Sequence, residues 1–266
     1  MPELTLALAQ MSAGPDPAEN LLKAREYAGR AAKAGARLLL FPEMFMALPQ
    51  AGEPLSKVAE SLDGPFASAI AGLGREFQIY IAGCVWEKVP GSQKVFNVAC
   101  LFDPEGKIVA HYRKLHLFDA LSVRESDLML PGAAPPPVVS AAGFNVGLAI
   151  CYDLRFPEVF RCMAAKGVEL ILVPAAWYAG PLKEEQWLTL LRARAMENVC
   201  YAAGAVLAGP PFSGRSAAFD PYGVVLVDSG EGEGLLLARL DSARIAQVRS
   251  KLPALSHRRS DIFKLS

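Results

Sequence analysis

Three side chains of complementary chemistry stand at the ends of apolar or patterned segments: Glu43 in LLLFPEMF, Lys114 in HYRKLHLFD and Cys151 in AICYDLRFPE. A carboxylate can take a proton, an ammonium can stabilise developing negative charge, and a deprotonated thiol can attack a carbonyl carbon. Together they form a hydrolytic set. Taken singly, Glu43 could start a helix, Lys114 could be a solvated charge, and Cys151 could be a small buried apolar residue. What sets them apart is position, because the carboxyl ends of strands in a parallel or mixed sheet converge on one rim.

The elements that must deliver them follow from the hydrophobic pattern. Phe144 to Glu158, FNVGLAICYDLRFPE, predicts a buried strand Val146–Ile150, a sharp turn carrying Cys151, and a helix whose first turn holds Pro157 and Glu158. A cysteine close to a helix amino terminus meets N–H groups and a dipole that favour thiolate. Earlier in the chain, Leu4–Ala9 is a strand, Asp16-Pro17-Ala18-Glu19 starts a helix that Gly35 stops, and Arg37–Pro42 is a strand leading into Glu43. Phe66, Ile70, Leu73 and Phe77 mark a second helix, followed by strands Ile79–Trp86, Val95–Phe102 and, across the turn Asp103–Gly106, Ile108–Tyr112. The second half repeats this order with a helix from Pro157 to about Ala165, a strand Glu169–Pro174, a helix Lys183–Asn198, a strand Tyr201–Leu207 and a hairpin turned at Asp220–Gly223.

Two pairs of segments carry the repeat. KAGARLLLFPEMF from Lys33 aligns with AKGVELILVPAAW from Ala165, and FDPEG at Phe102 aligns with FDPYG at Phe219. The implied object is a pseudo-symmetric pair of sheets packed face to face, with helices on both outer faces. Glu43 aligns with Ala175, so the frame is symmetric while the site is not.

Composition narrows the partners. The chain has 266 residues, of which 52% are hydrophobic, and its 27 basic and 27 acidic residues cancel without long runs of either sign. No nucleic-acid footprint or anionic membrane surface is implied, so the expected partner is a small molecule. Leu128–Tyr152 is free of charge, but Pro131 and Pro135–Pro137 interrupt it, and it reads as a loop entering a buried strand rather than a membrane span. The amino-terminal segment lacks the pattern of a secretion signal. Five cysteines without a C-x-x-C pair give neither a disulfide framework nor a zinc ribbon, and a reducing, cytoplasmic setting is expected.

FPE at 41–43, YRKLHLFD at 112–119 and CYDLRFPE at 151–158, together with LLRARAMEN at 190–198 and the DPYG hairpin, resemble the signature regions of the nitrilase superfamily, the carbon-nitrogen hydrolases. The resemblance spans essentially the whole chain. It implies a single hydrolase domain over residues 1–266, folded as a four-layer α-β-β-α sandwich and assembled as a homodimer, and a Glu-Lys-Cys triad needing no cofactor or metal. Carried over by motif, Glu43 is the general base, Lys114 the oxyanion stabiliser and Cys151 the nucleophile, while Glu125 in VRES matches a second glutamate beside the triad.

Tyr152-Asp153 after the cysteine is similar to the amidase branch that includes omega-amidase and deaminated-glutathione amidase, which implies a small primary amide as substrate. Tyr152 would supply an oxyanion N–H. Trp177, with Tyr178, would wall the pocket, and Arg155 would either hold a substrate carboxylate or pair structurally with a carboxylate such as Glu158. Segment 177–187, WYAGPLKEEQW, departs from the omega-amidase pattern. The alternatives are an N-carbamoyl amide hydrolase, a nitrilase, a Cys-His hydrolase using His111 or His116, and a non-enzymatic interaction module on the same fold. His257, in the basic segment HRRSD, is expected at a dimer contact or in solvent.

Overall fold

The computed structural model describes residues 2–50 and 52–263. Two six-stranded sheets form its frame. The first runs β14 (Gly234–Asp241), β1 (Glu3–Gln10), β2 (Leu38–Leu40), β3 (Tyr80–Lys88), β4 (Val95–Phe102) and β5 (Ile108–Arg113). The second runs β8 (Val138–Ala141), β9 (Phe144–Leu148), β10 (Leu170–Ala175), β11 (Tyr201–Val206), β12 (Ala217–Phe219) and β13 (Val225–Asp228). In both, the second, third and fourth strands pair in parallel and the outer pairings are antiparallel.

Side-chain alternation along the strands makes the layers. Leu6, Leu8, Leu38 and Leu40 pack between the sheets with Val146, Leu148, Leu170 and Leu172 of the second. Ala7, Ala9, Leu39 and Ile81 point the other way, onto α1 (Pro17–Lys33) and α2 (Pro65–Phe77). Helices α4 (Pro157–Ala165) and α5 (Lys183–Asn198) cover the second sheet through Phe160, Met163, Trp187 and Leu191. The result is the expected α-β-β-α sandwich. Its first helix begins as its sequence dictates, with the Asp16 carboxylate accepting from the Ala18 N–H at 2.8 Å and Pro17 in the first turn.

The internal repeat is physical. Leu38 of β2 pairs with Tyr80 and its counterpart Leu170 of β10 with Tyr201, so the register carries Gly83 onto Gly204. Each glycine lies under an aromatic ring: a Cβ at Gly83 would fall 2.6 Å from Phe45, and one at Gly204 would clash with the Trp187 ring. Both hairpins shift register at the same place, between Leu101 and Phe102 and between Ala218 and Phe219. In both turns the aspartate carboxylate then accepts a backbone N–H four residues on, Lys107 from Asp103 and Val224 from Asp220, each at 2.8 Å.

Several elements differ from the sequence expectation. The strand before Cys151 is Phe144–Leu148, ending two residues early, and the strand before Glu43 shortens to Leu38–Leu40. The apolar stretch expected as a loop contains the edge strand β8, paired with β9 through a tight turn. The loop before Glu125 contains a small ribbon, β6 (Asp119–Ala120) and β7 (Val123–Arg124), leading to the short helix α3 (Glu125–Leu128). Strand β14, which pairs with all eight residues of β1, and helix α6 (Ser242–Lys251) were not anticipated, because pattern reports that a segment can be a strand, not which distant partner makes it one. Among the described residues no helix is long and apolar enough to cross a membrane.

Adding a methyl under either ring forces packed aromatic groups to move, so Gly83→Ala and Gly204→Ala should each destabilise the fold by about 1–3 kcal/mol. Urea unfolding midpoints measure this, and unchanged midpoints in both variants would mean that the rings yield freely.

Candidate active site

Glu43 lies just past β2, where Pro42 has no N–H to continue the ladder and Met44 turns the chain with φ of 59°. Its carboxylate is fully buried. One oxygen accepts from Lys114 Nζ at 2.8 Å and from Asn97 Nδ2 at 2.7 Å; the other accepts the Ala176 N–H at 2.9 Å. Ala176 follows β10, the repeat counterpart of the Glu43 strand. One sheet thus presents a carboxylate at its rim, and the other presents the N–H that holds it.

Lys114 is the residue after β5. Its own N–H donates to the Asn97 carbonyl at 2.9 Å, and its carbonyl accepts from Gly132 at 2.8 Å, so the backbone is tied on both sides. The ammonium, with its side chain fully buried, lies 2.8 Å from Glu43 and 2.9 Å from Glu125. Glu125 is fixed in turn by the Phe118 N–H at 2.7 Å. Burial disfavours the Lys114 charge, but Glu43 and Glu125 outweigh it and hold its pKa well above the ordinary value. Burial raises the pKa of Glu125, with the Glu43 charge adding to it and the Lys114 ammonium opposing it.

Cys151 opens a short 3₁₀ turn, Cys151–Arg155, with φ of 44°, a left-handed conformation strained for a non-glycine residue. Two anchors hold the turn. The buried Asp153 carboxylate accepts from the Ile150 N–H at 3.0 Å and Tyr112 Oη at 2.9 Å, and it lies 2.7 Å from His116 Nδ1. Arg194, from the RARAMEN segment of α5, donates to the Leu154 carbonyl from Nε at 3.0 Å and Nη2 at 2.7 Å. Helix α4 begins only at Pro157, beyond this turn. The expected thiolate-favouring helix terminus is therefore overturned: burial, reinforced by the Glu43 charge and only partly offset by Lys114, pushes the Cys151 thiol well above its usual pKa.

Cys151 and Glu125 line a chamber of about 20 Å³ together with Met44, Tyr152, Ala176 and Trp177. That is room for about one water molecule. Beside it lies a vestibule of about 700 Å³, and Phe118, Tyr152, Arg155, Tyr178 and Lys183 border both spaces. Tyr152, Trp177 and Arg155 are thus brought to the site. Arg155 does not pair with Glu158: its guanidinium donates to Gln186 at 2.7 Å and lies 5.1 Å from the Trp177 ring centre. Neither His111 nor His116 is among the lining residues; His116 is spent on Asp153 and stacks on Phe156 at 3.6 Å. His257 is exposed. Asn97, the Ala176 N–H and Lys183 were missed. Asn97 had a signal, as the polar residue inside the apolar run VFNVACLF, whereas Lys183 in LKEEQ looks like any surface helix start.

The sequence and fold are similar to those of known proteins. The Carbon-nitrogen hydrolase family model matches residues 5–250. A deaminated glutathione amidase of Synechocystis sp. is 37% identical over 97% of this chain and 98% of its own length. A mutant of the amidase from Nesterenkonia sp. AN1, whose structure shows covalent addition of the acetamide moiety of fluoroacetamide at its active-site cysteine, is 32% identical, with a TM-score of 0.82, covering 97% of this chain and 95% of its own. The C. elegans NitFhit protein, 29% identical, gives a TM-score of 0.91 over 100% of this chain and 67% of its own.

The charges around Cys151 predict opposite pH shifts in two variants. Glu43→Gln removes an anion and should move the pH midpoint of Cys151 alkylation downward; Lys114→Met removes a cation and should move it upward. Iodoacetamide rates followed against pH by peptide mass mapping test this, and shifts of the same sign would show that the thiol does not sense the pair.

Proposed function

We propose that this chain, which belongs to the carbon-nitrogen hydrolase family of the nitrilase superfamily, is an amidase that hydrolyses a small primary amide to acid and ammonia through a Cys151 thioester. Residues 1–266 act in this reading as one domain, in a cytoplasmic homodimer. The observation that carries it is the buried Cys151 side chain held beside a Glu43 carboxylate that is itself fixed by three donors. Such a pair can move a proton at the moment of attack without solvent reorganisation.

Glu43 takes the Cys151 proton as sulfur attacks the amide carbon. The negative charge forming on the amide oxygen meets the Lys114 ammonium and the Tyr152 N–H, which lies in the first turn of the short 3₁₀ segment. Glu43 returns the proton to the nitrogen, the carbon–nitrogen bond breaks, and ammonia leaves a thioester. Glu43 then takes a proton from water, whose oxygen attacks the thioester; the acid departs, and the sulfur recovers the proton. Glu125 keeps Lys114 in place and its charge balanced throughout. Its raised pKa suits it to sharing a proton near the ammonium without drawing Lys114 out of the oxyanion position.

Ammonia release from a panel of primary amides, N-carbamoyl compounds and nitriles, with Cys151→Ala as the blank, tests the reading. Release from primary amides in the wild type alone is expected; release only from carbamoyl compounds or nitriles would reassign the reaction, and silence would leave a non-enzymatic module. Lys114→Ala should lose more than the roughly 100- to 1,000-fold typical of a single oxyanion donor, because Glu43 and Glu125 are then left buried without their cation. A near-wild-type rate in the folded variant would remove Lys114 from the mechanism.

A further inference from the structure

Charge around the chamber is divided by depth. At the inner end two carboxylates, Glu43 and Glu125, share the single Lys114 ammonium. At the vestibule end stand two cations, Lys183 and Arg155, and among the described residues no carboxylate oxygen lies within 4.0 Å of either. None of the residues bordering the vestibule is acidic.

Lys183 is the less expected of the two. It begins α5 within the segment that departs from the omega-amidase pattern, yet it is only 8% exposed. Lysine is rarely buried to that extent without a partner. Its ammonium lies 4.8 Å from the centre of the Trp177 ring and 5.5 Å from that of Phe118, so aromatic faces hold it where a carboxylate would normally stand. Trp177 is locked beneath it by its own indole N–H, which donates to the Lys183 carbonyl at 2.8 Å. Burial, with the Arg155 charge adding to it and the more distant Glu184 only partly opposing it, depresses the Lys183 pKa.

We propose that Lys183 determines specificity: its ammonium, with Arg155 beside it, receives a carboxylate carried by the substrate on the end away from the amide. This rests on the amidase reading and names the substrate class for that site. A neutral amide would meet the inner machinery equally well but would leave both cations unpaired. A carboxylate placed between them makes a charge-assisted hydrogen bond in a partly dry setting and aligns the amide with Cys151.

Paired substrates test this, with succinamate against butyramide and glutaramate against valeramide, each pair differing by carboxylate for methyl. Lys183→Met, which keeps the apolar stem beside Trp177, should reduce the charged-to-neutral ratio of kcat/KM by about 10- to 100-fold, chiefly through KM. Lys183→Arg, which keeps the charge, should retain most of the ratio. A Lys183→Met ratio within about twofold of wild type for both pairs would overturn the proposal, as would equal losses on charged and neutral amides, which would place Lys183 in service of Cys151 instead. If wild type releases ammonia from none of the four, they are not its substrates, and the amidase reading is decided by the wider panel. The same compounds are then inert competitors, and their charged-to-neutral ratio in protecting Cys151 from iodoacetamide decides on Lys183 by the same criterion.

Discussion

The buried pairing of Lys114 with Glu43 and Glu125 is the constraint on which the rest of the site depends. An ammonium with no solvent access is tolerable only if anions replace its hydration, and two carboxylates that close are tolerable only with a cation between them. The three residues come from the end of β2, the end of β5 and the start of α3, so the cluster can form only when these elements meet. The remaining hydrogen bonds to Glu43, from Asn97 and the Ala176 N–H, draw in β4 and the opposite sheet. The chemistry and the packing of five elements are therefore one interaction network.

The pseudo-symmetric frame explains how such a site is built economically. Two copies of one strand order bring two equivalent rims face to face. At one rim the chain carries Glu43, and at the equivalent place it carries Ala175 and Ala176, small residues whose backbone can approach the carboxylate. The repeat supplies convergence, and the departure from the repeat supplies the reactive asymmetry. Outside the site the two halves keep the same devices, down to a bare glycine under an aromatic ring and an aspartate-turned hairpin.

Around Cys151 the strain has a visible restraint. A left-handed residue at the head of a 3₁₀ turn persists because Asp153 ties the turn to Ile150, Tyr112 and His116, and because Arg194 grips the Leu154 carbonyl. This gives a physical role to residues of CYDLRFPE and LLRARAMEN that never border the chamber. It also accounts for His116, which is engaged in holding the turn and does not face the thiol.

Alternation, helical spacing, and Asp-Pro and Gly punctuation are local and survive in one dimension, so the layers, the repeat and three chemically distinct residues at strand ends were legible in the chain alone. Glu125 was legible only through motif resemblance, since nothing in VRES marks a buried carboxylate. Only the tertiary structure sets the direction in which the Cys151 pKa moves: helix proximity would lower it, but burial, with the charge of Glu43 more than a hundred positions away, pushes it up. It also decides that β14 closes on β1, that Arg155 faces Trp177 and Gln186 rather than Glu158, and that Lys183 stands over Trp177 at the vestibule. These outcomes depend on which distant groups displace water from a side chain, and desolvation is a property of the assembled neighbourhood that no spacing along the chain records.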